Sequence, residues 1–255
     1  MGRIIAIVSG KGGVGKTTTA INLGAALNKL GQDVVVVDVN LNTPNIGIHL
    51  GAPIVPVTLN NVLKGKADIA DAIYEHVSGT KIVPSSLSVK EITNFNTKKI
   101  PAIIRQLKDM ADFVILDSAA GFSEEAIATM DAGEEIIVVT NPEMPSVTDA
   151  LKAIKVAKER GKEVKGIIVT RHKNENYEMS LASIKSMLEA PIIGLIPEDA
   201  AVKKALNRRD AVVHVYPNSK VSKKYIEIAR KIIGTYDSKP KIEGIFSRLF
   251  NFSGK

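Results

Sequence analysis

The stretch that most constrains this chain is residues 10–18, GKGGVGKTT, set between the apolar run 4–8 (IIAIV) and the segment 19–30, TAINLGAALNKL. A strand, a glycine-rich turn and a helix in that order meet the P-loop template Gly-x-x-x-x-Gly-Lys-Thr at Gly10, Gly15, Lys16 and Thr17. Gly10, Gly12, Gly13 and Gly15 let the backbone turn tightly and aim its N–H groups at a phosphate, helped by the positive end of the next helix. The whole loop, Val14 and Thr18 included, is therefore assigned to nucleotide phosphates. Lys16 can reach the terminal phosphates, and the Thr17 hydroxyl suits Mg²⁺, which prefers oxygen ligands.

A strand–loop–helix unit of this kind requires a sheet buried on both faces. Further apolar, β-branched runs at 33–38, 111–117, 134–140 and 164–170 supply it. The expected fold is α/β, a doubly wound, mainly parallel sheet with helices on both faces. Helices are expected over 100–110, 146–160 and 219–236, and two short ones over 57–75. Two of the strands end in acids, Asp38 and Asp117, at the carboxyl edge where open α/β sheets bind ligands. Asp117 fits the Walker B role of holding magnesium, and Thr17, Asp38 and Asp117 form the expected metal set.

The chain has 255 residues, 45% of them apolar and 24% charged, enough for one α/β domain with a sizeable core. It has no cysteine, which excludes disulfides, thiolate metal sites and iron–sulfur clusters. No apolar run approaches a membrane span, and a cytoplasmic location is expected. The net charge of +7 suits an anionic partner, nucleic acid or lipid headgroups.

KGGVGKTT as a unit resembles the deviant Walker A box, KGGxGK[ST]T, of the MinD/ParA family of ATPases. Within that resemblance the iron–sulfur branches of the class are ruled out by the missing cysteines. It implies ATP/ADP and Mg²⁺ as cofactors and an ATP-dependent homodimer in which Lys11 crosses to the partner's nucleotide. The family writes an acidic pair, DxD, where this chain has Asp38-Val39-Asn40. Its second acid orients the attacking water; Asn40 carries no charge and takes no proton, so binding without normal hydrolysis is expected. A natural slow variant and a substitution that traps ATP both fit that reading. Lys11, Lys16, Asp38 and Asn40 are the implied catalytic set. The family's DxPAG switch appears as residues 117–121, DSAAG, where Ala119 replaces proline and Gly121 remains as a hinge. TNPE at 140–143 matches closely and puts Asn141 among the implied cofactor-binding residues, while Arg171, Pro197, Glu198 and Asp199 stand where related proteins contact the adenine.

The expected ATPase domain covers 1–236, followed by a linker over 237–240 and a terminal segment over 241–255, KIEGIFSRLFNFSGK. There Ile242, Ile245, Phe246, Leu249 and Phe250 fall on one helical stripe, with basic and polar residues opposite. Such a helix can lie on an anionic membrane, and a dimer presents two of them. The resemblance is nearest the MinD branch, whose members position cellular components by cycling on the inner face of the cell membrane with a protein regulator or cargo. Two alternatives remain: a ParA-like ATPase that binds DNA through basic residues, and a nucleotide-switched scaffold that does not turn over.

Overall fold

The computed structural model describes residues 2–88 and 96–237, the side chains of 235–237 excepted. Residues 89–95 therefore fall outside the described residues, as do 238–240 and the terminal segment 241–255.

The elements alternate along the chain. β1 (Arg3–Val8) leads through the P-loop into α1 (Lys16–Lys29), then β2 (Val34–Asp38), α2 (Ile46–His49), α3 (Leu59–Leu63), β3 (Tyr74–Glu75) and β4 (Lys81–Val83). α4 (Ile100–Arg105), β5 (Phe113–Asp117), α5 (Glu124–Ala132), β6 (Glu135–Thr140), α6 (Met144–Glu159) and β7 (Glu163–His172) follow. The described chain closes with α7 (Leu181–Leu188), β8 (Ile192–Pro197), α8 (Ala200–Asn207), α9 (Val212–Val215) and α10 (Lys220–Asp237).

The strands form one sheet in the order β3-β4-β2-β5-β1-β6-β7-β8. Every adjacent pair is parallel except β3–β4 at the edge. Alternation along each strand splits the core in two. Ile4, Ala6, Val8, Val35, Val37, Val114 and Leu116 point to a layer closed by α3 to α7. Ile5, Ile7, Val34, Val36, Ile115 and Ile137 point to the other, closed by α1 and α8 to α10. A doubly wound fold results, as expected. α10 docks through buried Val221, Tyr225, Ile228, Ala229 and Ile232.

Two expected helices differ. The 100–110 helix stops at Arg105 and tightens into a 3-10 turn over Gln106–Asp109. The second half of 57–75 is a 3-10 turn, Ile69–Ala72, and then edge strand β3, because Tyr74 and Glu75 pair with Ile82 and Lys81. Tyr74 also anchors from its hydroxyl, which bridges the N–H and C=O of Val57 at 2.9 and 3.0 Å.

Candidate nucleotide site

Each glycine of the loop has its own constraint. Gly13 and Gly15 sit at φ +77° and +93°, in the left-handed region that favours glycine. At Gly10 the demand is space, since a Cβ there would come 2.2 Å from the carbonyl oxygen of Asp149 on α6. Hydroxyls brace the loop from within: Ser9 donates to the Lys11 carbonyl at 2.7 Å and Thr170 to the Val14 carbonyl at 2.6 Å. α1 then starts from Gly15 with no side chain capping its first turn and no acid in it. Its free N–H groups and positive dipole end are available to an anion. Lys16 is buried, and desolvation lowers its pKa while the charge of Asp117 pulls it back up. Lys11, Gly12 and Gly13 form the exposed crest.

The two strand-end acids are brought together by strand order. β2 and β5 are neighbours, and their register puts Asp38 directly opposite Asp117. Both are fully buried. Asp38 is braced by backbone amides: its Oδ1 accepts from Asn40 N at 3.2 Å, its Oδ2 from Asn45 N at 2.8 Å and Ile46 N at 2.9 Å. Asp117 has no hydrogen-bond partner on either oxygen. Burial pushes Asp38 up to about 8, aided by the Asp117 charge and opposed by the three amides. Burial likewise raises Asp117 to about 6, with the Thr17 hydroxyl and the Lys16 cation drawing it down. Burial and mutual repulsion both disfavour ionising the two carboxyl groups together, so the pair is biased towards keeping a proton.

Two adjacent buried carboxyl groups carry more negative charge than the single Lys16 cation beside them offsets, a setting that suits a divalent cation. The Thr17 hydroxyl beside Asp117 makes an all-oxygen donor set, which fits Mg²⁺ with its retained waters. Lys16 and the uncapped α1 terminus fit the phosphates it would bridge. Asp117 and Thr17 would hold such an ion, while Asp38 holds the 40–46 turn through its three backbone amides.

Asn40 is less free than its position suggests. Its Nδ2 donates to the Thr43 carbonyl at 2.6 Å, and its Oδ1 accepts from the Thr43 hydroxyl at 3.0 Å. In the switch segment Ala119 is buried, Ser118 donates to its carbonyl at 2.7 Å, and Gly121 takes φ +75° while donating to Ser9 O at 3.0 Å.

Beside the loop lies an open cleft of about 250 Å³ that gathers Gly15, Thr18, Arg171, Pro197, Glu198 and Asp199. Arg171 gets there through a left-handed backbone, φ +54°, and Asp199 by capping α8, accepting from Ala201 N at 2.8 Å. Asn141 is set apart, in a neighbouring hollow with Arg171 and Glu198; its Oδ1 lies 2.8 Å from the Thr170 hydroxyl. The membrane set Ile242, Ile245, Phe246, Leu249 and Phe250 lies outside the described residues.

Several residues of the site escape sequence reasoning. Val202, Lys203 and Tyr225 close the cleft from α8 and α10. Tyr225 shares a hydrogen bond of 3.2 Å with Thr19, and burial pushes its phenol up to about 12. Glu125 on α5 is buried, its carboxyl raised by desolvation. It accepts from Asn42 Nδ2 and has its second oxygen unpartnered. The only hint in the sequence was an acid in the first turn of α5, capped by Ser123.

A strand–loop–helix phosphate cradle at the centre of a doubly wound sheet, with paired acids on neighbouring strand ends, defines a P-loop nucleotide-binding protein. More narrowly, residues 5–212 match the CobQ/CobB/MinD/ParA nucleotide binding domain, and the chain belongs to that family. It is 39% identical over 255 residues to an uncharacterised ATP-binding protein of Methanocaldococcus jannaschii, covering 96% of this chain and 97% of the other. MinD of Pyrococcus horikoshii, solved with Mg-ADP, superposes with a TM-score of 0.89 at 34% identity, over 95% of this chain and 100% of that one. MinD of Aquifex aeolicus, solved in a MinC:MinD complex, gives 0.83 at 28%, over 91% and 96%. Among the described residues no helix is long and apolar enough to cross a membrane.

Proposed function

We propose that this chain is a Mg²⁺-dependent, MinD-like ATPase that dimerises on ATP and uses the dimer to hold its terminal segments on an anionic membrane, where it positions other components. The observation that carries the nucleotide part is the buried Asp38–Asp117 pair, whose free oxygens are on Asp117 beside Lys16 and Thr17.

Bound Mg·ATP supplies the phosphoanhydride to be broken and a divalent charge. The protein does the rest. The α1 amides and Lys16 hold the phosphates and neutralise the charge that grows on them as the bond to the leaving oxygen lengthens. Thr17 and Asp117 fix the ion's position. Lys11 is exposed on the crest of the loop, which supports its reaching a nucleotide in a second subunit. Asn40 takes no proton from the attacking water, and its amide is already tied to Thr43. Turnover is therefore slow, and the ATP-bound dimer persists.

The membrane part rests on the sequence of 241–255 and on the family. Vesicle co-sedimentation of the full chain and of a chain ending at residue 240, with ATP and with ADP, tests it. Pelleting that needs both ATP and residues 241–255 supports the reading. Equal pelleting in ADP, or without those residues, contradicts it. Association is tested separately by sedimentation velocity, where Lys11→Ala is expected to stay monomeric in ATP.

A further inference from the structure

Charge is distributed very unevenly along this chain. Residues 1–199 carry 21 lysines and arginines against 23 acids, a net −2. Residues 200–237 carry nine against three, which places +6 of the total +7 on α8, α9 and α10 and their connections. Residues 238–255 add +3.

On α10 the basic side chains share one face. Lys220, Lys223, Lys224, Arg230 and Lys231 fall within an arc of about 120° at 100° per residue. Opposite them lie the buried Val221, Tyr225, Ile228, Ala229 and Ile232. The stripe is interrupted only by Glu227, which is paired with Lys224 at 2.8 Å. Exposed Lys204 and Arg208 on and just after α8 extend the positive region, and Arg208 stacks over Tyr216. Lys231 donates to the Ile193 carbonyl on β8 at 3.0 Å, while the apolar face of α10 makes the rest of its docking on α1 and β8.

We propose that the basic stripe of α10 is a second membrane contact, lying against anionic lipid headgroups when the terminal segment inserts. It rests on the membrane reading above and deepens it. α10 ends at Asp237 and the apolar stripe of the terminal segment begins at Ile242, so only four residues separate the two in sequence. A cationic face near an anionic leaflet gains attraction from each lysine or arginine, and that attraction falls with salt. The apolar segment then supplies anchoring and the stripe supplies lipid selectivity. It also orients α10 along the membrane plane, with the nucleotide site held at a set angle to it.

The test is vesicle co-sedimentation of the full chain with ATP, on phosphatidylcholine alone and with phosphatidylserine, over a salt series. Lys220→Gln, Lys223→Gln and Arg230→Gln are combined, and nucleotide affinity is measured to show the site intact. Each charge removed is expected to lower affinity for the phosphatidylserine vesicles about fivefold at low salt. Binding to phosphatidylcholine should stay as in the unaltered chain. Equal affinity of the variant and the unaltered chain at every phosphatidylserine content overturns the stripe and leaves the terminal anchor standing. Failure of the unaltered chain to pellet with ATP overturns both. ATP-dependent binding of duplex DNA, lost in the variant and without vesicle binding, assigns the stripe to nucleic acid instead and overturns the lipid proposal.

Discussion

Two buried ionic groups sit at opposite ends of the same sheet, and they are built differently. At the amino end of β1, Arg3 meets Glu135 on β6 through two hydrogen bonds of 2.9 and 2.5 Å. A third N–H donates to Ile232 O at 2.7 Å, and the guanidinium lies 5.3 Å over the Phe113 ring. That group is closed: a charge pair, forked and satisfied. At the carboxyl end, Asp38 and Asp117 are two like carboxyl groups, and Asp117 has only the Thr17 hydroxyl and the Lys16 cation beside it, with no forked partner. Burial is nearly equal at the two places, so depth does not separate structure from function here. The separation lies in whether the folded chain neutralises its own charge.

The largest contrast comes from removing one acid at each end. Glu135→Ala leaves Arg3 buried without its counter-charge and should cost about 3–5 kcal/mol of unfolding free energy. Asp117→Asn should do the reverse for the nucleotide-free chain, raising its stability, while lowering Mg²⁺-dependent ATPase activity by about a hundredfold or more. Denaturant titrations and steady-state rates of the two variants check both signs. Loss of stability in Asp117→Asn would mean that its carboxylate is held by the protein after all.

The pH dependence follows from the same pair. Both folded pKa values, about 8 and about 6, lie above the ordinary 3.8, so the folded chain binds more protons than the unfolded one between them. Nucleotide-free stability contributed by these acids is present below about pH 4 and is lost as pH rises towards 8. Saturating Mg·ADP should flatten that slope, since the ion replaces the proton. Melting temperatures across pH 5 to 8, with and without Mg·ADP, measure it; identical slopes would break the comparison.

A smaller effect is expected at Asn40. Asn40→Asp supplies a proton acceptor and removes the Nδ2 donor to Thr43 O, leaving the Thr43 hydroxyl as the side chain's hydrogen-bond partner. Single-turnover hydrolysis should rise by about tenfold or more. An unchanged rate would show that turnover is limited elsewhere.

The sheet and the loop were legible because their physics is local. Apolar β-branched runs announce buried parallel strands, and glycine spacing with Lys16 and Thr17 announces the cradle. Asp38 and Asp117 were visible as acids ending such runs, but their adjacency was not. It depends on β5 lying between β2 and β1, which a separation of 79 positions does not disclose. Arg3–Glu135, separated by 132 positions, was invisible for the same reason. Glu125, α2 and α7 were missed because their signals are short or their partners distant. Arg171 and Pro197 to Asp199 were reached through resemblance, and the cleft that joins them to Gly15 and Thr18 is a property of the folded chain alone.

Central to this account is a protonated carboxylate pair that exchanges its proton for Mg²⁺ when nucleotide binds. Calorimetry of preformed Mg·ADP binding at pH 7, repeated in buffers of different ionisation enthalpy, reads that exchange directly. The expected result is release of a substantial fraction of one proton, absent when Asp38→Asn and Asp117→Asn are combined. Binding heats that do not depend on the buffer would contradict it.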